Sequence, residues 1–431
     1  SPETTEPKPI DPDALEATSR EFVRQLVAGE YDAVIEEHAF SEQFLAQVDP
    51  ERLETLWTNQ TASLGQFVEL AGAEYGQSDG YHVTVVSARF TGGTQAVRLV
   101  YDDTAAIVGL FFPGSSSSYA PPEYVDRSAF EEVDREIEAT GTCSLPAKLS
   151  LPTGEEPVPG VVLVHGSGPN DMDETFGPNK PFKDLAGGLA SRGVAVLRYD
   201  KRTYACDVDR AALTLDEKVT DDALAALDVL REHPRVEPSQ TVVVGHSIGA
   251  MTAPRIADRD GSVAGAVMLA ANARPLLDVI PAQYEYLFRL DGDLSDDEAA
   301  QLDAVDRTVE RVRALEIDDG EVVLGLGGRP FWRTLQEYDQ VETARQLDVP
   351  LAILQGERDY QVTVEDDFEQ WQQALGDGET VTFQTYPRLN HLFMPGEGQP
   401  SPAEYSQPNN VYRAVVADVA SWVRRVTDDG G

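Results

Sequence analysis

One segment reads Val242-Val243-Val244-Gly245-His246-Ser247-Ile248-Gly249-Ala250, and it sets the architecture of the chain around it. Its β-branched first half predicts a buried strand, and the residues at 251–257 predict a helix directly after the turn. Gly245 and Gly249 allow a sharp reversal between the two elements, because glycine tolerates conformations that a side chain would prevent. The hydroxyl of Ser247 is then expected to project alone from a strained strand-to-helix corner. We predict that Ser247 is a nucleophile; the alternative is a structural turn.

Strands alternate with helices on both sides of this corner. Several predicted strands are continuous apolar runs, as expected when both faces of a sheet are covered. Helical segments between them, such as 184–191 and 221–232, complete β-α-β units. The fold class over residues 125–431 is therefore α/β, with a doubly wound, mostly parallel sheet of about eight strands. These strands are predicted at 135–139, 147–151, 160–165, 194–199, 241–245, 264–270, 351–355 and 381–386.

The first part of the chain follows a different pattern. Residues 1–12 form a polar tail rich in Pro, Glu and Thr, which is expected to be disordered. Helices and then four strands are predicted over 13–113, a small α+β layout that resembles the cone-shaped domains of the NTF2-like class, DUF3887 type. A linker rich in Gly, Ser and Pro is predicted at 114–124. We expect this domain to be accessory rather than independently catalytic.

A helical insertion is predicted at about 273–348, after the sixth strand of the sheet. Ser295-Asp296-Asp297-Glu298 has the form of a capping box, and apolar residues follow it at helical spacing. Ligands of open α/β sheets bind at the carboxyl ends of the strands, which such an insertion covers. We therefore predict a cap lining an apolar substrate pocket, although core packing is the usual role of its aromatic residues. The predicted substrate-binding residues are Tyr284, Phe288, Phe331 and Trp332.

A serine hydroxyl needs a base to remove its proton. We predict that this base is His391, because it follows the last strand, where this architecture supplies its base; a solvated loop histidine is the alternative. Position argues against the other histidines: two lie in the N-terminal region, two at element ends, and His246 adjoins Ser247 but is expected to point elsewhere. They are His38, His82, His165, His233 and His246.

The third member of a triad is a carboxylate that orients the imidazole and stabilises its charged form. A buried strand at 351–355 ends in a glycine turn, and Asp359 follows this turn at a suitable distance. Glu357 is the second candidate, although it comes soon after the strand, while Asp366 and Asp367 are typical of a helix N-terminus. The resulting order is Ser, Asp, His.

Developing charge on an attacked carbonyl needs fixed donors. One predicted donor is the backbone N–H of Ile248, directly after the nucleophile. The other is expected from the loop His165-Gly166-Ser167-Gly168-Pro169, where we predict the N–H of Ser167, with Gly166 as the alternative. A phosphate-binding loop is a poorer interpretation, since the lysine and the spacing of a P-loop are missing.

Charge and cysteine content exclude several classes of partner. The chain has 75 acidic and 34 basic residues, a formal net charge of −41, so nucleic acid is an unsuitable partner. The acidic residues are spread along the chain, as in proteins from high-salt environments. No apolar run is long enough for a transmembrane helix. Cys143 and Cys206 are expected to be spare thiols. A start at Ser1 favours export after removal of a leader, with a cytoplasmic location as the alternative.

The motifs together resemble those of α/β-hydrolase carboxylesterases with an N-terminal accessory domain. The resemblance implies hydrolysis of short acyl esters without a metal or organic cofactor, and it supports Ser247, Asp359 and His391. It leaves Asp200, Lys201 and Arg202 with a structural ion-pair role. A serine peptidase and a catalytically silent binding protein are the alternatives, because one fold hosts several functions. The matching segments are 165–171, 177–184, 199–202, 245–249 and Arg274-Pro275.

Overall fold

The structure is a computed structural model that describes residues 10–45, 48–61, 66–78, 81–90, 93–113, 116–117, 119–139, 143–290, 292–376 and 380–428. The chain divides into two compact units: the first contains the residues up to Ala120 together with Phe176–Asn179 and Tyr405–Pro408, and the second contains the rest. The tail predicted at 1–12 lies largely outside the described residues, as do parts of the predicted linker. Within the described ranges, no helix has both the length and the apolar character of a membrane span.

The N-terminal unit consists of helices followed by an antiparallel sheet, as predicted. Its strands run in the order β1-β2-β3-β4, and the short β5 pairs with β3. Helix α1 buries Phe22, Val23 and Leu26 in the core of this unit. The helices are α1 (Pro12–Ala28), α2 (Tyr31–Glu37), α3 (Glu42–Leu45) and α4 (Pro50–Thr61), and the strands are β1 (Phe67–Ser78), β2 (Tyr81–Phe90), β3 (Gly93–Tyr101), β4 (Ile107–Phe111) and β5 (Ser116–Ser117).

The C-terminal unit is built on an eight-stranded sheet in the order β13-β12-β11-β10-β8-β9-β7-β6. Six of these strands are parallel, while β6 and β7 form an antiparallel edge. Every predicted strand is present, and the predicted fold class is confirmed. The strands are β6 (Phe130–Glu138), β7 (Ser144–Pro152), β8 (Val158–Val164), β9 (Ala195–Tyr199), β10 (Val236–His246), β11 (Gly265–Leu269), β12 (Leu351–Gly356) and β13 (Val381–Tyr386).

Helices cover both faces of this sheet and connect its parallel strands. The order in which strands are added to the sheet reverses at β8, because β9 lies on one side of β8 and β10 lies on the other. Ligands of α/β sheets bind at such a switch point, outside the carboxyl ends of the strands. The connecting helices are α5 (Pro181–Ala190), α6 (Arg202–Ala205), α7 (Asp221–Arg231), α8 (Ile248–Asp260), α13 (Glu369–Leu375) and the C-terminal α14 (Arg413–Asp428), with π-helical turns at Asp216–Thr220 and Val364–Phe368.

The interval between β11 and β12 contains helices and, among its described residues, no strand. Ser295 forms the predicted capping box with Glu298, which satisfies backbone N–H groups at the start of the second of these helices. The four helices are α9 (Leu276–Phe288), α10 (Asp296–Arg313), α11 (Arg329–Gln336) and α12 (Gln340–Gln346).

Candidate active site

Ser247 occupies the corner between β10 and α8 in a strained backbone conformation. Its φ is 54° and its ψ is −117°, which an L-residue adopts only when the surrounding structure enforces it. The Ser247 N–H donates to the carbonyl of Leu269 at 2.9 Å, which fixes the corner to the neighbouring strand. Ser247 is partly exposed, whereas the strand before it and the helix after it are buried.

The two glycines of the corner are required by close backbone contacts. A Cβ added to Gly245 would lie 2.2 Å from the carbonyl oxygen of Gly249. A Cβ added to Gly249 would lie 2.2 Å from the carbonyl oxygen of Val164, at the end of β8. Helix α8 can therefore begin directly against the end of β8 only when both positions lack a side chain.

Asp359 and His391 lie together at the carboxyl ends of β12 and β13. The Nδ1 atom of His391 is 2.7 Å from Oδ2 of Asp359, and both side chains are buried. The backbone N–H groups of Gln361 and Val362 donate to Oδ1 of Asp359, and Gln355 Nε2 donates to Oδ2. The carboxylate is thus held on both oxygens, and the imidazole ring keeps Nε2 as its other nitrogen.

The other candidate carboxylates make different contacts. Glu357 is exposed, and its Oε1 accepts a 2.8 Å hydrogen bond from Thr385. Asp366 and Asp367 both form ion pairs with Arg274, at 3.3 and 2.7 Å. Asp359 is therefore the carboxylate that the structure places against His391.

Ser247 shares the same edge of the sheet as this pair, since β10, β12 and β13 are parallel strands. Among the described residues, however, its Oγ forms no hydrogen bond with His391, so that contact stays a prediction. The link that is present runs through His246, whose ring centroid is 4.8 Å from that of His391. Bonds between a nucleophile and its base are often long in the absence of substrate.

The loop after β8 lies beside the nucleophile. A Cβ added to Gly166 would be 3.2 Å from the Cβ of Ser247. The N–H of Gly166 already donates to Glu174 Oε1 at 2.6 Å, so it is not free for a substrate oxygen. The Ser167 residue is exposed, and Ile248 is the first residue of α8, where an N–H has no partner within the helix. This arrangement favours Ser167 over Gly166 as the second donor.

Three buried polar residues beneath the site were not recognised from the sequence as parts of it. Glu174 Oε2 lies at ion-pair distance, 3.0 Å, from Nδ1 of His246, and Nε2 of His246 is 2.9 Å from the carbonyl oxygen of His391. Lys201 Nζ donates to the carbonyl oxygen of Gly166 at 2.6 Å. We call Glu174, His246 and Lys201 the buried network.

Burial and charge shift the protonation of this network. Burial alone would lower the pKa of His246, but the Glu174 carboxylate, the carbonyl of His391 and the charge of Asp359 together outweigh it and raise that pKa above 6.5. Burial alone would raise the pKa of Glu174, but His246, His165 and the N–H of Gly166 together outweigh it and the pKa is lowered. Burial lowers the pKa of Lys201 to about 7, and within the described part of the chain no carboxylate lies at salt-bridge distance to it.

The expected ion-pair role of the 200–202 segment holds for one residue. Arg202 forms a buried pair with Asp222 at 2.6 Å. Asp200 instead accepts a hydrogen bond from the N–H of Met172 at 2.7 Å, and Lys201 contacts a backbone carbonyl. The segment therefore supports the loop that carries Ser167.

The cap aromatics fall into two groups. Phe331 and Trp332 are fully buried in the core, so their predicted contact with substrate is corrected to core packing. Trp332 Nε1 donates to the carbonyl of Gly327. Tyr284 is exposed and Phe288 partly so, with ring centroids 6.0 Å apart on one face of α9. Their contact with substrate stays a prediction.

Helix α9 contacts the loop that carries Asp359. The ring of Tyr286 stacks on Tyr360 with centroids 5.0 Å apart, and Gln283 Nε2 donates to the carbonyl of Gln361 at 3.2 Å. The cap therefore reaches the predicted catalytic edge of the sheet.

The two cysteines form a disulfide, so the expectation of spare thiols is wrong. Cys143 precedes β7 and Cys206 follows α6, with Cα atoms 6.2 Å apart. The two cysteines are 63 positions apart in the sequence, so their spacing gave no indication that they pair.

Comparison with known proteins identifies the family of the chain. The alpha/beta hydrolase family matches residues 161–407, more than half of the chain. The chain is an α/β-hydrolase. Residues 19–110 match a family described as a protein of unknown function, DUF3887. The chain is 39% identical over 403 residues to Esterase EstD of Thermotoga maritima, covering 93% of each protein. It thus belongs to the α/β-hydrolase esterases that carry an N-terminal DUF3887 domain.

The chain is also similar to solved structures at low identity. The esterase PF2001 of Pyrococcus furiosus is 17% identical with a TM-score of 0.45, covering 72% of this chain and 98% of that one. Est1E of Butyrivibrio proteoclasticus is 18% identical with a TM-score of 0.45, covering 68% of this chain and 98% of the other. These likenesses are too distant to bear on function.

Proposed function

We propose that this α/β-hydrolase cleaves short-chain carboxylic esters through an acyl-enzyme intermediate on Ser247. The observation that carries the proposal is the 2.7 Å contact between His391 Nδ1 and Asp359, at the same sheet edge as the strained Ser247 corner. A carboxylate on Nδ1 leaves Nε2 to act as general base. The relationship to Esterase EstD supports an ester as the substrate.

The proposed reaction has two steps. His391 Nε2 accepts the proton of the Ser247 hydroxyl while Oγ attacks the ester carbonyl, and the N–H groups of Ser167 and Ile248 stabilise the oxyanion. The imidazolium then protonates the alkoxide as the C–O bond breaks and the alcohol leaves. In the second step His391 accepts a proton from water, whose oxygen attacks the acyl carbonyl. The imidazolium then returns the proton to Ser247 Oγ as the acyl C–O bond breaks and the acid leaves.

The cap is proposed to supply the apolar part of the substrate site. Tyr284 and Phe288 lie on α9. Tyr286 of the same helix stacks against Tyr360, the residue directly after Asp359. An acyl or alcohol group held against this face would lie close to the reacting carbonyl. We further propose that no metal or organic cofactor takes part.

The test combines labelling with a substrate panel. A fluorophosphonate probe should modify Ser247, as identified by peptide mass spectrometry. With p-nitrophenyl butyrate as substrate, Ser247→Ala should lower kcat by a factor of about 10⁴–10⁶. Full activity of Ser247→Ala would refute the proposal. Faster turnover of an aminoacyl nitroanilide than of the ester would instead identify a peptidase.

A further inference from the structure

Glu174 is a fully buried carboxylate that binds the backbone of the predicted oxyanion loop. Its Oε1 accepts the N–H of Gly166 at 2.6 Å, and its Oε2 faces His246 Nδ1 at 3.0 Å. Apolar side chains enclose this pair, among them Phe182, Leu185, Leu392, Phe393 and Val415. A carboxylate in such surroundings persists only when its partners compensate for lost hydration. It reacts with nothing in the proposed mechanism, so its role must lie in what it holds.

Lys201 fixes the other side of the same glycine. Its Nζ donates to the Gly166 carbonyl at 2.6 Å, and its backbone N–H donates to the carbonyl of Asn170 at 3.0 Å. The carbonyl of Gly166 and the N–H of Ser167 belong to one planar trans peptide, so they point in opposite directions. A carbonyl held by Lys201 on the buried side therefore turns the Ser167 N–H away from the interior.

His246 connects this loop to the base. Its Nε2 donates to the carbonyl oxygen of His391, and its Nδ1 lies at ion-pair distance from the Glu174 carboxylate without the alignment of a hydrogen bond. The carboxylate therefore favours a ring that carries a proton on both nitrogens. The backbone of His391 is thus held by the residue before Ser247, while its ring is held by Asp359.

We propose that the buried network of Glu174, His246 and Lys201 positions the Ser167 N–H and the His391 backbone relative to Ser247. The three are positioning residues, since none contacts the reacting atoms, and the proposal rests on the function proposed above. Donor geometry matters because an oxyanion-hole N–H acts only when it is aimed at the charge that develops in the transition state.

The first test isolates the oxyanion donor. Lys201→Met should lower kcat by about 10- to 100-fold, below the loss for deletion of a whole donor, with KM changed less than twofold. Affinity for a trifluoromethyl ketone, whose hemiketal mimics the oxyanion, should fall by the same factor as kcat/KM. Rates are normalised to active sites titrated with a fluorophosphonate, so a lower yield of folded enzyme does not count.

Lys218→Met is the matched control. Lys218 is also buried, also donates to a backbone carbonyl, that of Leu326, and lies over the ring of Phe331; it acts on Lys201 through its charge, which helps to lower the pKa of Lys201. It should lose stability while keeping kcat and ketone affinity within twofold. Equal kinetic losses in both lysine variants, or none in Lys201→Met, would overturn the proposal.

The second test concerns the base and stands alone if Lys201→Met does not fold. His246→Phe retains a ring but no donor, so kcat should fall at least 10-fold at constant KM. His246→Gln retains an N–H donor for the His391 carbonyl and should recover most of that loss. Equal kcat in the two variants would exclude positioning by this hydrogen bond.

The two proposals fail in different ways. An active, unlabelled Ser247→Ala enzyme would refute the function itself. An inactive Ser247→Ala enzyme together with unchanged kinetics in Lys201→Met and His246→Phe would refute only the positioning role of the buried network.

Discussion

The Nε2 atom of His246 donates a 2.9 Å hydrogen bond to the carbonyl oxygen of His391. The residue before the predicted nucleophile therefore holds the backbone of the predicted base, although 145 positions separate them. Asp359 holds the ring of the same histidine from β12. His391 follows the edge strand β13 in a loop, and these two bonds compensate for the freedom that a loop would otherwise have.

Asp359→Asn should lower kcat by about 10⁴-fold, because an amide can stabilise the wrong imidazole tautomer and cannot balance the charge of the imidazolium. Ester hydrolysis under saturating substrate provides the measurement. Glu357→Gln is the control. Glu357 is exposed and accepts a hydrogen bond from Thr385, so the kcat of this variant should differ less than twofold from that of the wild type. A larger effect at Glu357 than at Asp359 would contradict the assignment.

The strands of the sheet were predictable because their signal is local. Burial on both faces selects the continuous apolar runs that mark several of the strands, and all eight predicted segments form strands of the C-terminal unit. The contact between Asp359 and His391 was predictable for a related reason, since each residue follows a strand whose carboxyl end lies at a known edge. The structure brings Asp359 and His391 together on this basis.

The buried network was not predictable because its contacts are non-local. Glu174 lies in a loop without periodicity, and its partner Gly166 is fixed by how that loop folds back. The sequence predicted that the ring of His246 points away from the reacting atoms, but it did not predict the ring's contacts with Glu174 and the His391 carbonyl. The depth of Phe331 and Trp332 was likewise hidden, since an apolar helix face in a cap can serve either a core or a pocket.

The Glu174–His246 pair should make stability depend on pH in a defined window. Glu174 has a lowered pKa, so its contribution is present above about 4.5 and is lost as the pH falls through the folded value. His246 has a raised pKa, so its contribution is full below about 6.5 and is lost as the pH rises through the folded value. The free energy of unfolding lost in Glu174→Gln should therefore be largest between about pH 4.5 and 6.5.

Urea unfolding of wild type and Glu174→Gln from pH 4 to 9 measures this difference. The difference in unfolding free energy between the two proteins should decline at alkaline pH as His246 loses its proton. NMR of labelled histidine side chains measures that deprotonation. The ring of His391 and the charge of Asp359 also lie near His246. The same urea series in an Asp359→Asn background is therefore the control for the charge of Asp359. A pH-independent difference would show that Glu174 and His246 do not form an ion pair.

The buried and the exposed aromatic residues of the cap should respond differently to truncation. Phe331→Ala should destabilise the protein by about 3 to 5 kcal/mol, because a fully buried aromatic leaves a cavity. Tyr284→Ala should change stability little and instead raise KM, most for the longest acyl chain in a panel from acetyl to decanoyl esters. Unchanged KM values across the panel would remove Tyr284 from the substrate site.

The surplus of acidic residues should make stability increase with salt. A formal charge of −41 repels itself in the folded state, and ions shorten the range of that repulsion to about 3 Å at 1 M salt. We expect the midpoint of thermal unfolding to rise steadily from low salt to 2 M KCl. Maximal stability without salt would contradict adaptation to a high-salt environment.

The Cys143–Cys206 disulfide should contribute substantially to stability. The loop between the cysteines spans 63 positions, and closing a loop of that length in the unfolded chain stabilises the folded state by about 4 kcal/mol in the chain-entropy treatment. Reductant should therefore lower the urea midpoint of the wild type but leave a Cys143→Ser/Cys206→Ser double variant unchanged. Because such bonds persist in oxidising compartments, this result would support export of the protein. Two thiols that react with a thiol reagent in the native, unreduced protein would contradict both the bond and that support.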